Sequence, residues 1–91
     1  MSVLLVGYDL NSPGQNYNDL ISAIERYTCC HALDSMWFID TASDPADVRD
    51  NLGAYIDKGD QLYVMKLRRH WAASFKDDCT GWLKSSSRTW D

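Results

Sequence analysis

No apolar run in this chain approaches the roughly 20 residues that a membrane-spanning helix needs. The amino terminus lacks a charged leader with a cleavage site. The expectation is a cytoplasmic protein with no membrane partner. Basic residues are scarce: 9 Lys and Arg against 13 Asp and Glu leave a net charge of −4. That argues against wholesale coating of nucleic acid, because counterion release needs a broad basic face. Cysteine is sparse and odd in number, at Cys29, Cys30 and Cys79. Adjacent cysteines rarely bond each other, so all three are expected to be reduced. Cys29-Cys30-His31 makes a poor start to a zinc site, since neighbours on a strand point to opposite faces and only His70 and Cys79 remain to complete it. Nothing in the sequence activates either thiol for Cys–His chemistry. There is no internal repeat and no linker. Asn11-Ser12-Pro13-Gly14-Gln15-Asn16 is neither a Walker loop nor a dinucleotide fingerprint, having no Lys and a single Gly.

What is present is bulk. Hydrophobic residues make up 45% of 91 residues, with 4 Trp and 5 Tyr, enough for one domain with a single core. The charge is also sorted. Asp34 to Asp60 holds seven Asp against Arg49 and Lys58, whereas Lys66, Arg68, Arg69 and Lys76 run without an acid. Such asymmetry serves a ligand, or it marks two differently solvated faces.

Val3 to Asp9 reads as a strand apolar on both faces, hence central in its sheet. It ends in Asp9, followed by a polar loop and a helix start, a place where α/β proteins often bind ligands. Tyr17 to Tyr27 carries one helical stripe of Tyr17, Leu20, Ala23, Ile24 and Tyr27. Thr28 to Thr41 is strand-like but too long for one ordinary strand, and Asp34-Ser35 is its expected bend or turn. Asp44, Pro45 and Asp47 announce a second helix, with Val48, Leu52, Tyr55 and Ile56 inward. Asp57 to Asp60 is a turn with Gly59 at its left-handed position. Gln61 to Leu67 is a further strand. Trp71 to Lys84 is expected as a third helix with Trp71, Phe75, Cys79, Trp82 and Leu83 on a core or interface face. Residues 1–84 then form one domain and 85–91 a loosely ordered tail. A split at Asp34-Ser35 gives a ferredoxin-like βαββαβ sandwich with an extra C-terminal helix, within the α/β (α+β) class. An unsplit strand gives a three-stranded α/β layer. The split form is the expectation.

Tyr8-Asp9-Leu10-Asn11-x-Pro13-Gly14-x-x-Tyr17-x-x-Leu20, followed by His31-x-Leu33-Asp34-Ser35-x-Trp37, resembles a family of small bacterial and phage proteins labelled SinR-like. The pattern has nothing of the helix-turn-helix repressor that shares the name. More distantly, it is similar to the small nuclease-like subunit of the CRISPR adaptation complex and to the virulence-associated protein D ribonuclease. The resemblance implies a ferredoxin-like homodimer associated with RNA, DNA or nucleotides in antiviral defence. It aligns Tyr8 and Asp9 with the end of the family's first strand, and Ser35 with a Ser beside the dimer axis. Leu33 and Asp34 stand where that family has Gln or Arg.

The candidate chemistry centres on Asp9, as catalytic residue and as a Mg²⁺ ligand paired with its copy across a twofold axis. Ser35 would orient water or phosphate. Tyr8, Asn11, Ser12, Gly14, Arg68 and Arg69 are the candidate ligand- or phosphate-binding residues. Each has a plainer role available: an Asx-type acceptor, a turn with a helix cap, a solvated strand exit. The rival reading is a non-catalytic interaction or nucleotide-sequestering module. Strand direction decides whether Arg68 and Arg69 can join Asp9. A parallel neighbour puts them at the same end of the sheet and an antiparallel one at the opposite end.

Overall fold

Four consecutive apolar side chains, Val3 to Val6, can all be sheltered only in a strand covered on both faces. β1 (Ser2–Asp9) holds that place, with Val3, Leu4 and Val6 fully buried. The computed structural model describes residues 1–11, 17–74 and 78–90. β2 (Thr28–Leu33), β3 (Met36–Thr41) and β4 (Gln61–Lys66) complete a four-stranded sheet in the order β2-β3-β1-β4, every neighbouring pair antiparallel. With α1 (Asn18–Glu25), α2 (Pro45–Gly53) and α3 (Asp78–Lys84), the described residues form a small mixed α+β domain. No helix among them is long and apolar enough to cross a membrane.

The period of two along each strand sorts the sheet into two faces. Leu4 lies opposite Ile39 and Val6 opposite Trp37. These four join Leu20, Ala23 and Ile24 of α1 and Val48 and Leu52 of α2 in one core. Leu5, Gly7 and Asp9 share the other face with their partners Phe38 and Met36 on β3 and Met65, Tyr63 and Gln61 on β4. α3 covers part of this second face, packed against β2.

Local chemistry accounts for most element ends. Asp34-Ser35 turns the chain between β2 and β3, so the long strand-like stretch is a hairpin, with a register shift between His31 and Leu33. Pro45 opens α2 behind Asp44, its fixed φ suiting the first helical position. Gly59 has φ 100°, a conformation that a side chain disfavours.

Three expectations need correction or refinement. The helix expected from Trp71 begins, among the described residues, only at Asp78; Trp71 to Ser74 are not helical, and Phe75 lies outside the described residues. Packing of Trp71 against Trp90 outweighs a helical period that was only a weak prior. The cysteines are not all reduced: Cys30 and Cys79 form a disulfide, and Cys29 is free. The reason is the strand alternation that kept Cys29 and Cys30 apart. It turns Cys29 toward the α1/α2 core and Cys30 toward the face that α3 covers. The segment after α3 is held at Arg88 as well as at Trp90. Arg88 is buried against Asp40, its guanidinium 4.2 Å from the centre of the Trp82 ring.

Candidate functional site

The antiparallel pairing of β1 and β4 settles how the expected site residues are distributed. Asp9 lies opposite Gln61, and Leu4 opposite Lys66. Arg68 and Arg69 continue from Lys66, so they stand at the far end of the sheet from Asp9. The five steps along the strand from Leu4 to Asp9 separate the two ends by about 17 Å at ~3.3 Å per residue.

At the Asp9 end the hairpin turn closes onto β1. The Tyr8 N–H donates to the Ser35 carbonyl at 3.0 Å, which brings Tyr8, Asp9 and Ser35 together. The Tyr8 hydroxyl accepts from Trp37 Nε1 at 3.0 Å and donates to the Asp34 carbonyl at 3.3 Å. His31 Nε2 lies 3.1 Å from the same carbonyl, and its ring stacks on Trp37 at 3.9 Å. Tyr8 is thereby committed to holding the turn. Asp9 is exposed, and among the described residues its carboxylate has no hydrogen-bond or ion-pair partner. Nor do the described residues hold a group of three or more His, Cys, Asp or Glu suited to a metal ion.

Asn11 belongs to a separate bracket. Its N–H donates to Asp60 Oδ1 at 2.8 Å, and its Nδ2 donates to the Gly59 carbonyl at 3.3 Å. Tyr17 Oη donates to the same Asp60 carboxylate at 2.9 and 3.1 Å, and the Asp57 N–H at 2.7 Å. These donors, the Asn11 N–H foremost, hold the Asp60 carboxyl below the usual carboxylate range. The Asn11 N–H thus serves the joint between the loop after β1 and the turn before β4. Ser12 and Gly14 lie outside the described residues.

The far end holds a cleft of about 540 Å³ lined by Arg69, Trp71, Thr80, Lys84, Ser85 and Trp90, among others. Leu67 donates its N–H to the Val3 carbonyl at 2.9 Å, which guides the chain off β4 and along the sheet end to Arg69. Trp71 and Trp90 lie near-parallel, at 19° and 6.4 Å between centroids, an offset aromatic pair. α3 supplies Thr80 and, in its last turn, Lys84, where a cation also suits the helix dipole. A second hollow of about 290 Å³ adjoins it, sharing Trp71 and Leu83 and lined also by Leu5 and Phe38. Two cations, two hydroxyls and two indoles in one cleft suit a flat ring joined to an anion.

Of the expected site residues that are described, only Arg69 lines this cleft; Arg68 is exposed next to it in the chain. Trp71, Trp90 and Lys84 were not expected in a site. One signal for them was there: Arg68-Arg69-His70-Trp71 sets a basic run directly against an indole. No family model and no solved structure matches the chain.

Proposed function

We propose that this domain is a non-catalytic module that binds a nucleotide, free or within single-stranded nucleic acid, in the cleft between Arg69 and Lys84. The observation that carries it is the pairing of two cations with two indoles in one cleft of an acidic chain. The volume of about 540 Å³ falls within the range of small-molecule sites. A base stacked on Trp71 or Trp90 contributes about 1–3 kcal/mol. Arg69 offers a phosphate two parallel N–H donors, and Lys84 a point charge.

The strand order and the βαββαβ succession support a ferredoxin-like sandwich, with α3 as the added C-terminal element. A homodimer completes the reading. Tyr63 and Met65, 60% and 52% exposed, stand side by side on the edge strand β4, where a second copy would cover them.

Titration of the protein with fluorescent AMP and with a labelled trinucleotide, at two salt concentrations, tests the binding. Saturable binding that weakens at least fivefold in Arg69→Ala and in Trp71→Ala is expected. Absence of binding to both probes at millimolar concentration would sink the proposal.

A second reading rests on the meeting of Tyr8, Asp9 and Ser35 at one strand end with the Asp9 carboxylate exposed. There Mg²⁺ held by Asp9 from each of two subunits would support phosphodiester hydrolysis, since the ion keeps several waters and needs only one or two carboxylates. Mg²⁺-dependent cleavage of RNA or DNA that disappears in Asp9→Ala supports it. Cleavage unchanged in that variant removes it.

A further inference from the structure

One wall of the cleft is a segment with little hold of its own. Among the described residues α3 spans seven, Gly81 among them, and a helix of that length is not stable in isolation. Yet α3 and the residues after it bring Thr80, Lys84, Ser85 and Trp90 to the cleft. Among the described residues, Trp90 at the end of this segment stacks on Trp71, and three attachments seat the segment on the sheet face away from α1 and α2. Cys79 is bonded to Cys30 of β2. Leu83 meets Leu5 and Phe38 across the apolar hollow. Arg88 pairs with Asp40 of β3.

The last two are weak fasteners. The hollow under Leu83 is not filled by the described side chains. Arg88 Nη1 lies 3.1 Å from Asp40 Oδ2, but among the described residues it makes no aligned hydrogen bond, and Arg88 Nε and Asp40 Oδ1 have no hydrogen-bond partner there either. A buried pair so poorly satisfied offsets most of its attraction with lost hydration. The disulfide, by contrast, closes a separation of 49 residues and confines α3 to the sheet whatever its own stability.

We propose that the Cys30–Cys79 disulfide is a redox latch on the nucleotide cleft. Oxidised, it seats α3 and completes the site. Reduced, α3 and the chain through Trp90 leave the sheet, and the site loses five of its described lining residues, Leu83 included. The inference rests on the binding reading given above, but the latch has its own readout. The reductant is a dithiol. One of its thiolates attacks a sulfur of the Cys30–Cys79 bond and forms a mixed disulfide, releasing the other cysteine as a thiolate that takes up a proton. The second thiol of the reductant then closes its own disulfide and frees the remaining cysteine. Two electrons and two protons pass to the protein in all. Cys29 stands apart from this exchange. It faces the α1/α2 core, and burial first, then Glu25, push its thiol above the usual range, which disfavours the thiolate that would attack. The latch ties the site to its compartment: closed in oxidising surroundings, released where thiols are kept reduced.

The test combines amide hydrogen exchange with titration of fluorescent AMP, on the oxidised protein, on protein reduced with dithiothreitol, and on Cys30→Ser/Cys79→Ser. Reduction and the double substitution are expected to speed exchange at least tenfold in residues 78–85, to leave β1, β3, α1 and α2 protected, and to weaken AMP binding at least tenfold. Cys29→Ser is expected to behave as the unaltered protein. Protection of α3 that survives reduction overturns the latch, whatever the nucleotide does. General loss of protection in β1 overturns it too, since the bond would then be a staple of the whole fold. A loosened α3 with unchanged AMP affinity overturns the link to the cleft. Loosening of α3 in a protein whose oxidised form binds no AMP supports the latch and overturns the binding reading instead.

Discussion

Arg88 Nη1 stands 3.1 Å from Asp40 Oδ2, with the two side chains only 10% and 5% exposed. The pair joins the segment after α3 to the middle of the sheet. Arg88→Ala leaves the Asp40 carboxylate buried without its counter-charge, a change that typically costs about 3–5 kcal/mol. Arg88→Met with Asp40→Leu replaces both charges by apolar groups and is expected to recover most of that loss. Urea unfolding midpoints of the three proteins check this. Equal midpoints for the unaltered protein and Arg88→Ala would show that the pair is solvated in solution.

Tyr8 was expected at the ligand site, yet its hydroxyl is engaged by Trp37 Nε1 and by the Asp34 carbonyl. Tyr8→Phe leaves the N–H of the buried Trp37 indole without an acceptor and should destabilise the fold by about 1–3 kcal/mol. In a double-mutant cycle with Trp37→Phe the two losses should be less than additive, because each removes the same hydrogen bond. Additive losses would mean that the bond contributes nothing to stability. Binding of AMP at the far cleft should be unaltered in both variants.

What could be read in the chain beforehand was what neighbouring residues decide. The apolar run Val3 to Val6 announced a central strand, Asp34-Ser35 the hairpin, Asp44-Pro45 a helix start, and Gly59 a left-handed turn. Each of these follows from chemistry within a few positions. The meetings of Cys30 with Cys79, Asp40 with Arg88 and Trp71 with Trp90 depend on where the tertiary fold carries distant segments. Nothing local marks them. Cys29 and Cys30, adjacent on one strand, cannot reveal locally that Cys30 has a partner 49 residues away. The helical period at Trp71 is local, whereas its stacking on Trp90 is a contact between distant segments. Arg69 was singled out for its charge alone, and antiparallel β1–β4 pairing sets it against Trp71 instead of Asp9.

Asp60 gives the protein a defined acid response. Its folded-state carboxyl is held below the usual range by the Asn11 N–H first, with the Asp57 N–H and the Tyr17 hydroxyl adding to it. Between that lowered value and the ordinary Asp value of about 3.9, the unfolded chain binds more protons than the folded one. Stability from this group is therefore fully present above pH ~4 and is lost as pH falls through the folded value. Asp60→Asn should flatten the acid limb of a stability-against-pH profile, and Tyr17→Phe should flatten it less. An acid limb of unchanged slope in Asp60→Asn would assign the pH dependence to other carboxyl groups.

Charge and stacking in the cleft can be separated by salt. A phosphate held by one cation in a single-stranded ligand contributes about 0.7 to the slope of log affinity against log salt. Arg69→Ala and Lys84→Met should each lower that slope by roughly this amount for a bound trinucleotide, because each removes a charge but leaves both indoles. Trp71→Ala should weaken binding by about 1–3 kcal/mol at every salt concentration and leave the slope alone, since a base on an indole releases no counterion. The pattern matters more than either magnitude. If Trp71→Ala changes the slope as much as Arg69→Ala does, its effect is to displace the neighbouring cation, and the indole is a wall of the cleft without stacking a base.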